Sequence, residues 1–151
     1  MQRLYLLRYR LFGNKTIVHI LHIGRTGGSA IKYTLKEYVH SEYKPVVTDK
    51  YAIFHHEHYF KLKDIPEGEK AVFFVRDPVQ RIYSGAYVPK LSRYMNAPLR
   101  HWLMSKEYLE QRRGDILYIG ETERLDVCWN ELSEMLGLPH IPLPKNRFAN
   151  S

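Results

Sequence analysis

The stretch of the chain that decides the fold is Ile20-Leu21-His22-Ile23-Gly24-Arg25-Thr26-Gly27-Gly28-Ser29-Ala30-Ile31-Lys32. A nearly continuous apolar run over residues 16–23 predicts a buried strand. The run ends at a glycine-rich turn, and a helical pattern follows over residues 29–39. In a strand–loop–helix of this kind, backbone N–H groups and the helix N-terminus converge on a bound anion. The stretch therefore predicts an anion-binding loop.

The loop offers groups that suit a phosphate-like anion. Gly27 and Gly28 allow close approach of the backbone, Thr26 and Ser29 supply hydroxyl donors, and Arg25 supplies positive charge. The alternative is that the two glycines only form a tight turn and that the arginine is solvated. An NTPase or kinase is disfavoured, because no Lys-Ser or Lys-Thr follows the glycines and no acidic residue ends the next predicted strands, where it would hold Mg²⁺.

A second basic segment follows another predicted strand. The strand is Ala71-Val72-Phe73-Phe74-Val75, and the segment after it is Arg76-Asp77-Pro78-Val79-Gln80-Arg81-Ile82-Tyr83-Ser84. Asp77 and Pro78 are typical of a helix start, with an aspartate N-cap and a proline at the first helical position. We expect this helix to extend to about Val88, because Pro89 follows.

The rest of the chain completes an alternating pattern. Further strands are predicted over residues 45–47, 51–54 and 116–119, and further helices from about residue 96 and over 125–136. This order predicts an α/β fold of three layers, P-loop-like, with a mostly parallel central sheet flanked by helices. The length of 151 residues predicts a single domain, with an N-terminal arm over 1–15 and an irregular tail over 139–151.

Composition narrows the class of protein. The chain has 23 Lys and Arg against 16 Asp and Glu, a formal charge of +7, which suits an anionic partner. Its single cysteine, Cys128, forms no intrachain disulfide and favours a reducing, cytoplasmic compartment. Arg3, Arg8 and Arg10 interrupt the N-terminal apolar residues, which leaves no apolar run long enough for a signal peptide or a membrane span. We expect a short amphipathic arm lying on the domain rather than a membrane contact.

Both basic segments resemble one family. Residues 22–29 resemble the His-Ile-Pro-Lys-Thr-Gly-Gly-Thr motif of sulfotransferases that use 3′-phosphoadenosine 5′-phosphosulfate (PAPS), and residues 73–84 resemble that family's second motif. A weaker third match begins at Ile119 and continues to Pro139, and the resemblance as a whole covers about residues 16–150. It implies a PAPS-dependent sulfotransferase that transfers a sulfuryl group to a hydroxyl, with a carbohydrate as the expected acceptor.

The resemblance also implies site residues. The 5′-phosphosulfate would be held by Arg25, Thr26, Gly27, Gly28, Ser29 and Ala30, and the 3′-phosphate by Arg76 and Ser84. Arg25 would also supply positive charge to the bridging oxygen as the nucleotide leaves. No metal is expected. The expected partners are the nucleotide and a hydroxyl-bearing saccharide, anionic in some cases, and not nucleic acid.

A histidine cluster, His55-His56-Glu57-His58, follows the predicted strand over 51–54. Sulfuryl transfer needs a general base for the acceptor hydroxyl, and imidazole titrates near neutrality. The cluster resembles the His-x-His of the sugar 2-O-sulfotransferase branch, which makes His56 and His58 the candidate bases. They would share a face if the strand continued, with His55 on the other. Glu57 as base, a zinc site and plain surface histidines are the alternatives; His19 and His22 are predicted to be structural.

The chain departs from the family in two ways. Arg25 stands where the family usually has Lys, and arginine keeps the charge but cannot donate a proton. Only 31 residues separate Ser84 from Ile116, and relatives continue beyond the equivalent of Ser151, so we expect a minimal or shortened version. Two alternatives to the enzyme therefore stay open: a catalytically degenerate module that binds adenosine bisphosphate, and a basic nucleic-acid-binding domain.

Overall fold

The computed structural model describes residues 1–23, 28–75 and 101–144, with residues 28 and 29 described for their backbone only. The helices are α1 (Gln2–Phe12), α2 (Gly28–Val39), α3 (Lys106–Gln111) and α4 (Leu125–Leu136). The strands are β1 (Thr16–Ile20), β2 (Val46–Val47), β3 (Tyr51–His55), β4 (Lys70–Val75) and β5 (Ile116–Glu121). Single 3₁₀ turns cover Leu62–Asp64, Arg113–Asp115 and Thr122–Arg124, and residues 101–103 are helical.

The five strands form one sheet in the order β2-β3-β1-β4-β5. β1 pairs in parallel with β3 on one side and with β4 on the other, and β4 pairs in parallel with β5. Among the strands of the described residues, only the short edge strand β2 is antiparallel, to β3. The prediction of an α/β fold with a mostly parallel sheet flanked by helices is therefore confirmed.

The helices cover both faces of the sheet. On one face, α2 and α4 bury Ile31 and Trp129 against β-strand residues such as Val72. On the other face, α1 packs through Leu6, and α3 packs through Leu109 together with residues 101–103 and the 3₁₀ turn at Leu62–Asp64. Consecutive residues of β1 and β4 alternate between these two layers, as a strand that is buried on both sides requires.

Several predicted bounds differ from the structure. The N-terminal arm is an α-helix, and α3 lies in a segment for which no separate helix was predicted. β1 ends at Ile20 rather than residue 23, although the Leu21 N–H still donates to Val72 O at 2.9 Å. β5 extends to Glu121, so the expectation that no acidic residue ends a following strand is wrong. The helix predicted from Asp77 to Val88 lies outside the described residues.

The helix α4 agrees with the sequence pattern at both ends. It spans Leu125–Leu136, and Gly137 follows with φ of +75°, a left-handed conformation that ends helices and favours glycine. Leu125, Trp129 and Leu132 are buried as their spacing predicts, whereas Met135 is exposed. Met135 therefore lies outside the buried face of α4, although the spacing of the apolar residues predicts it to be part of that face.

A glycine inside β5 lets an aromatic ring pack closely against the strand. A Cβ on Gly120 would lie 2.2 Å from Phe74 Cε2 and 2.3 Å from Phe74 Cδ2. Phe74 is buried under α4 and is the residue paired with Gly120 in the β4–β5 register. The glycine is required by this contact, because the ring cannot move without opening the core.

We expect Gly120→Ala to lower the free energy of unfolding by about 1–3 kcal/mol, since the new methyl group overpacks the core at Phe74. The matched control is Gly114→Ala, where no heavy atom lies within 4 Å of the added Cβ. Urea denaturation of both variants measures the difference. Equal stability of the two variants would contradict this explanation of Gly120.

Candidate functional site

The candidate site lies at the carboxyl edge of the sheet. β1, β3, β4 and β5 are parallel, so their carboxyl ends share one edge. In open α/β sheets ligands bind at this edge, where successive strands are added on opposite sides. Along this chain β3 lies on one side of β1 and β4 on the other, so the switch point is between β1 and β4. The two predicted motifs begin just after these two strands.

Much of the predicted phosphate site lies beyond what the structure describes. The residues concerned are Arg25, Thr26, Gly27, Arg76 and Ser84, together with the side chain of Ser29. Ala30 is described: it is in the first turn of α2, its methyl group is buried, and its carbonyl accepts from Thr34 Oγ1 at 2.8 Å. A contact of Ala30 with an anion would therefore be made through its backbone N–H.

The strand ends next to the two motifs are well fixed. Leu21 N–H donates to Val72 O, which ties the residues after β1 to β4. Thr122, which is buried just after β5, donates its hydroxyl to Val75 O at 3.2 Å. Val75 immediately precedes Arg76, so the entry to the second motif is held from the neighbouring strand.

His58 stands at this edge, beside the entry to the first loop. Its Nδ1 lies 3.1 Å from His22 O, and its ring stacks on the His22 ring with 3.7 Å between centroids. Trp102 Nε1–H donates to His58 O at 2.7 Å and holds the backbone. Because a carbonyl oxygen only accepts, His58 Nδ1 carries the proton. The neutral ring of this exposed residue then has its basic lone pair on Nε2.

The groups around His58 leave it as the available base. Burial, together with the neighbouring His58 and Lys32, lowers the pKa of His22 to about 4, so His22 is uncharged at neutral pH. Glu57 forms an ion pair with Lys32. The hydrogen bond from Lys32 also lowers the pKa of Glu57. A carboxylate of depressed pKa that is already engaged is a weaker base than an imidazole, which disfavours Glu57 in that role.

His56 has a different environment from His58. Its Nε2 lies 2.7 Å from His19 Nδ1, and His19 Nε2 lies 2.6 Å from Glu69 Oε1. Arg10 holds the same carboxylate through Nε at 2.6 Å and Nη2 at 2.8 Å. His56 also stacks on the Phe60 ring with 3.6 Å between centroids. The result is a chain of hydrogen bonds that is buried at His56 and His19 and reaches the surface at Arg10, the His56–His19–Glu69–Arg10 network.

The ionisation of Glu69 fixes the protons in this network. Burial opposes the charge on Glu69, but the hydrogen bonds from His19 and Arg10 outweigh it and lower its pKa to about 2. The carboxylate only accepts, so His19 donates from Nε2 and, when neutral, accepts at Nδ1 from His56 Nε2–H. Burial lowers the pKa of both imidazoles. His56 is only 5% exposed, and its Nε2 is committed to a structural bond.

The condition under which His56 and His58 would share a face, continuation of the strand, is not met. β3 ends at His55, and beyond it the two imidazoles contact different residues, His19 and His22. His55 does lie on the other side of the sheet, as predicted, and burial there lowers its pKa to about 4, with the neighbouring Lys32 adding to the shift. His19 is structural, as the sequence indicated.

Sequence reasoning missed three residues of this region. Arg10 and Glu69 hold the buried imidazoles, and Trp102 fixes the His58 backbone. Trp102 is buried, and nothing in the sequence pattern indicates its hydrogen bond to the His58 backbone. Glu69 lies in a turn with Pro66 and Gly68, directly before a buried strand. Glu69 shortly precedes a predicted strand, and His19 is a polar residue in an otherwise apolar one. A pairing of these two residues is the signal that the sequence offered.

Comparison with known proteins assigns no family. No protein-family model matches the chain, and no curated protein matches it. In residues 1–23, 28–75 and 101–144, no three His, Cys, Asp or Glu side chains are grouped so that they could hold a metal ion. None of the helices in these residues is both long enough and apolar enough to cross a membrane.

We expect the free energy of unfolding to fall as the pH is lowered from about 6.5 towards 4. Burial depresses the pKa values of His19, His22, His55 and His56, so below about pH 6.5 the unfolded chain binds protons that the folded chain does not. Stability is complete above that pH and falls by about 1.4 kcal/mol per pH unit for each such proton. Urea denaturation at a series of pH values measures it.

Replacing one of these imidazoles tests the assignment. His55→Gln removes one titrating group, so the pH slope should decrease by about one proton. His140→Gln, at an exposed histidine beyond α4, is the control and should leave the slope unchanged. A wild-type stability that is constant down to about pH 5 would contradict the burial of neutral imidazoles.

Proposed function

We propose that this protein is a PAPS-dependent sulfotransferase with a P-loop-like sheet, transferring a sulfuryl group to a hydroxyl, with a carbohydrate as the expected acceptor. One observation carries the proposal: β1 and β4, the strands that precede the two sulfotransferase-like motifs, are parallel neighbours and flank the switch point of the sheet. A ligand with phosphates at both ends needs two basic loops at one edge, and this topology brings their starting points together.

The binding roles follow from the motifs. Residues 24–29 and the N-terminus of α2 would hold the 5′-phosphosulfate, with Ala30 contributing through its backbone, and Arg76 and Ser84 would hold the 3′-phosphate. Lys32 lies one turn into α2 and adds a cation near this edge. The net charge of +7 supports attraction of a nucleotide and of an anionic saccharide.

We assign the general base to His58. In the reaction the acceptor oxygen forms a bond to sulfur, the bond from sulfur to the 5′-phosphate oxygen breaks, and the acceptor proton must be removed. His58 Nε2 is suited to take this proton, because Nδ1–H is held by His22 O and keeps the basic lone pair on the other nitrogen. Adenosine 3′,5′-bisphosphate leaves, and Arg25 supplies charge to its departing oxygen.

The cofactor class is tested by calorimetric binding of adenosine 3′,5′-bisphosphate beside AMP and ATP-Mg²⁺. We expect a clear preference for the bisphosphate. Arg76→Ala should weaken that binding by about tenfold to a hundredfold, since a charge-assisted contact contributes about 1.5–3 kcal/mol. The control is Arg113→Ala, which removes an arginine paired with Glu110 before β5, at the opposite edge of the sheet.

Two outcomes of this binding experiment, and one outcome of a transfer assay with PAPS, would contradict parts of the proposal. Equal affinity for AMP and the bisphosphate would remove the 3′-phosphate site. An Arg76→Ala variant as tight as the control would remove Arg76 from it. Binding without any transfer from PAPS to a panel of saccharides would favour the catalytically degenerate module instead.

We expect His58→Asn to lower kcat about 10²- to 10⁴-fold while leaving bisphosphate affinity unchanged. Asparagine can still donate from Nδ2 to His22 O, so this variant keeps the positioning bond while it loses the titratable nitrogen and the ring that stacks on His22. His140→Asn, at an exposed histidine away from this edge, is the matched control. Turnover of sulfuryl transfer with saturating PAPS measures the effect.

The parallel substitution at His56 separates the two candidate bases. His56→Asn disturbs the buried network and should lower the free energy of unfolding more than it lowers kcat of the remaining folded protein. If His56→Asn abolished turnover at full stability, and His58→Asn did not, then His56 would be the base.

A further inference from the structure

The outer face of α1 has a stripe of leucines that no described element covers. Leu4, Leu7 and Leu11 are spaced three and four residues apart, and they are 64%, 52% and 62% exposed. The opposite side of the helix, with Leu6, Tyr5 and Tyr9, packs on β1 and β3. We call the three exposed leucines the leucine stripe.

Arginines flank the leucine stripe on both sides. At 100° per residue the three leucines occupy a sector of about 60°, and Arg3 and Arg8 each lie about 40° beyond one of its borders. Residues 1–15 contain no acidic residue. Among the described residues, no carboxylate lies within ion-pair distance of either arginine. Both cations are therefore available to an external anion.

The helix is held so that the stripe faces outward. Arg10, which lies between Arg3 and the buried Leu6 around the helix, forms an ion pair with Glu69. Gln2 Nε2–H donates to His55 O at 2.7 Å. Together with the burial of Leu6, these contacts fix the rotation of α1 about its axis. The leucines and the two flanking arginines are thus presented together on one surface.

We propose that the leucine stripe docks on an anionic lipid surface, with Leu4, Leu7 and Leu11 among the upper acyl chains and with Arg3 and Arg8 at the lipid phosphates. Helices that lie in a membrane interface have this arrangement, an apolar stripe with cations along both borders. The methylene groups of each arginine contact the apolar layer, and the guanidinium group reaches the lipid headgroups. The sequence favours an arm lying on the domain over a membrane contact, whereas in this proposal α1 makes both contacts, one on each side of the helix.

Charge favours lipid over a second copy of the chain. In a two-fold symmetric dimer the same patch meets itself, which would bring the arginines of one copy towards those of the other with no carboxylate on the patch. An anionic bilayer supplies the opposite charge to both arginines at once. We therefore expect the binding to require anionic lipid and to weaken with salt.

The test is co-sedimentation of the full chain with vesicles of phosphatidylcholine alone or with added phosphatidylglycerol. We expect binding to the anionic vesicles only. Leu4→Gln/Leu7→Gln should weaken it about tenfold or more. The matched control is Val127→Gln/Met135→Gln, which removes two exposed apolar residues from α4. The replaced leucines are exposed, so the fold should be retained, and circular dichroism checks this.

A second pair of variants tests the charge. Arg3→Gln/Arg8→Gln should weaken binding about 25-fold, from about fivefold for each arginine near an anionic surface. Arg113→Gln/Arg124→Gln removes two arginines elsewhere and should change it little. Equal binding to both vesicle types, no binding to either, or wild-type binding by both α1 variants would overturn the proposal. So would self-association in analytical ultracentrifugation that Leu4→Gln/Leu7→Gln abolishes.

Discussion

The parallel pairing of β1 with a strand on each side is the constraint on which the candidate site depends. Ile20, the last residue of β1, is in register with His55, the last residue of β3, and with Val72 of β4. The chain therefore leaves β1 and β3 at the same height, and the His22 and His58 rings meet two and three residues later. β4 continues to Val75, so the second motif begins further out along the same edge.

The end of β3 also decides the environment of each clustered histidine. The strand turns His55 towards α2, where burial makes its charged form unfavourable. Immediately after the strand, His56 enters the opposite layer and completes the network with His19 and Glu69. His58 follows, exposed at the edge. Three imidazoles within four residues thus differ in accessibility, because His55 and His56 face opposite layers of the sheet and His58 lies beyond the strand at the exposed edge.

The sequence predicts the features that depend on residues close together along the chain, such as individual strands and helices. The apolar runs gave β1 and β4 to within three residues, and the 3.6-residue spacing with Gly137 gave α4. α1 was missed as a helix because its N-cap, Met1, makes no side-chain capping bond and its first turn has no acidic residue. α3 did carry a signal, the Ser105 N-cap that accepts from Tyr108 N–H, which was overlooked.

Contacts between distant residues could not be predicted in the same way. The choice between His56 and His58 depends on His19 and His22, which lie 37 and 36 residues away along the chain. The Glu69 carboxylate that orders the network lies 50 residues from His19. No periodicity links such pairs; they are brought together by the register of β1, β3 and β4. The proposed roles of the two basic motifs are inferred from the sequence. The sheet topology determines the edge at which both motifs begin.

The position of α1 separates the two surfaces proposed for this protein. Its first residues contact the carboxyl end of β3 through Gln2 and His55 O, and its last turn reaches Glu69, just before the amino end of β4. The helix therefore crosses one face of the sheet from the carboxyl edge to the amino edge. A lipid surface against its outer side would lie along that face and leave the carboxyl edge open at the side. The leucine stripe and the carboxyl edge, where we propose that the nucleotide binds, can then be occupied together, because neither covers the other.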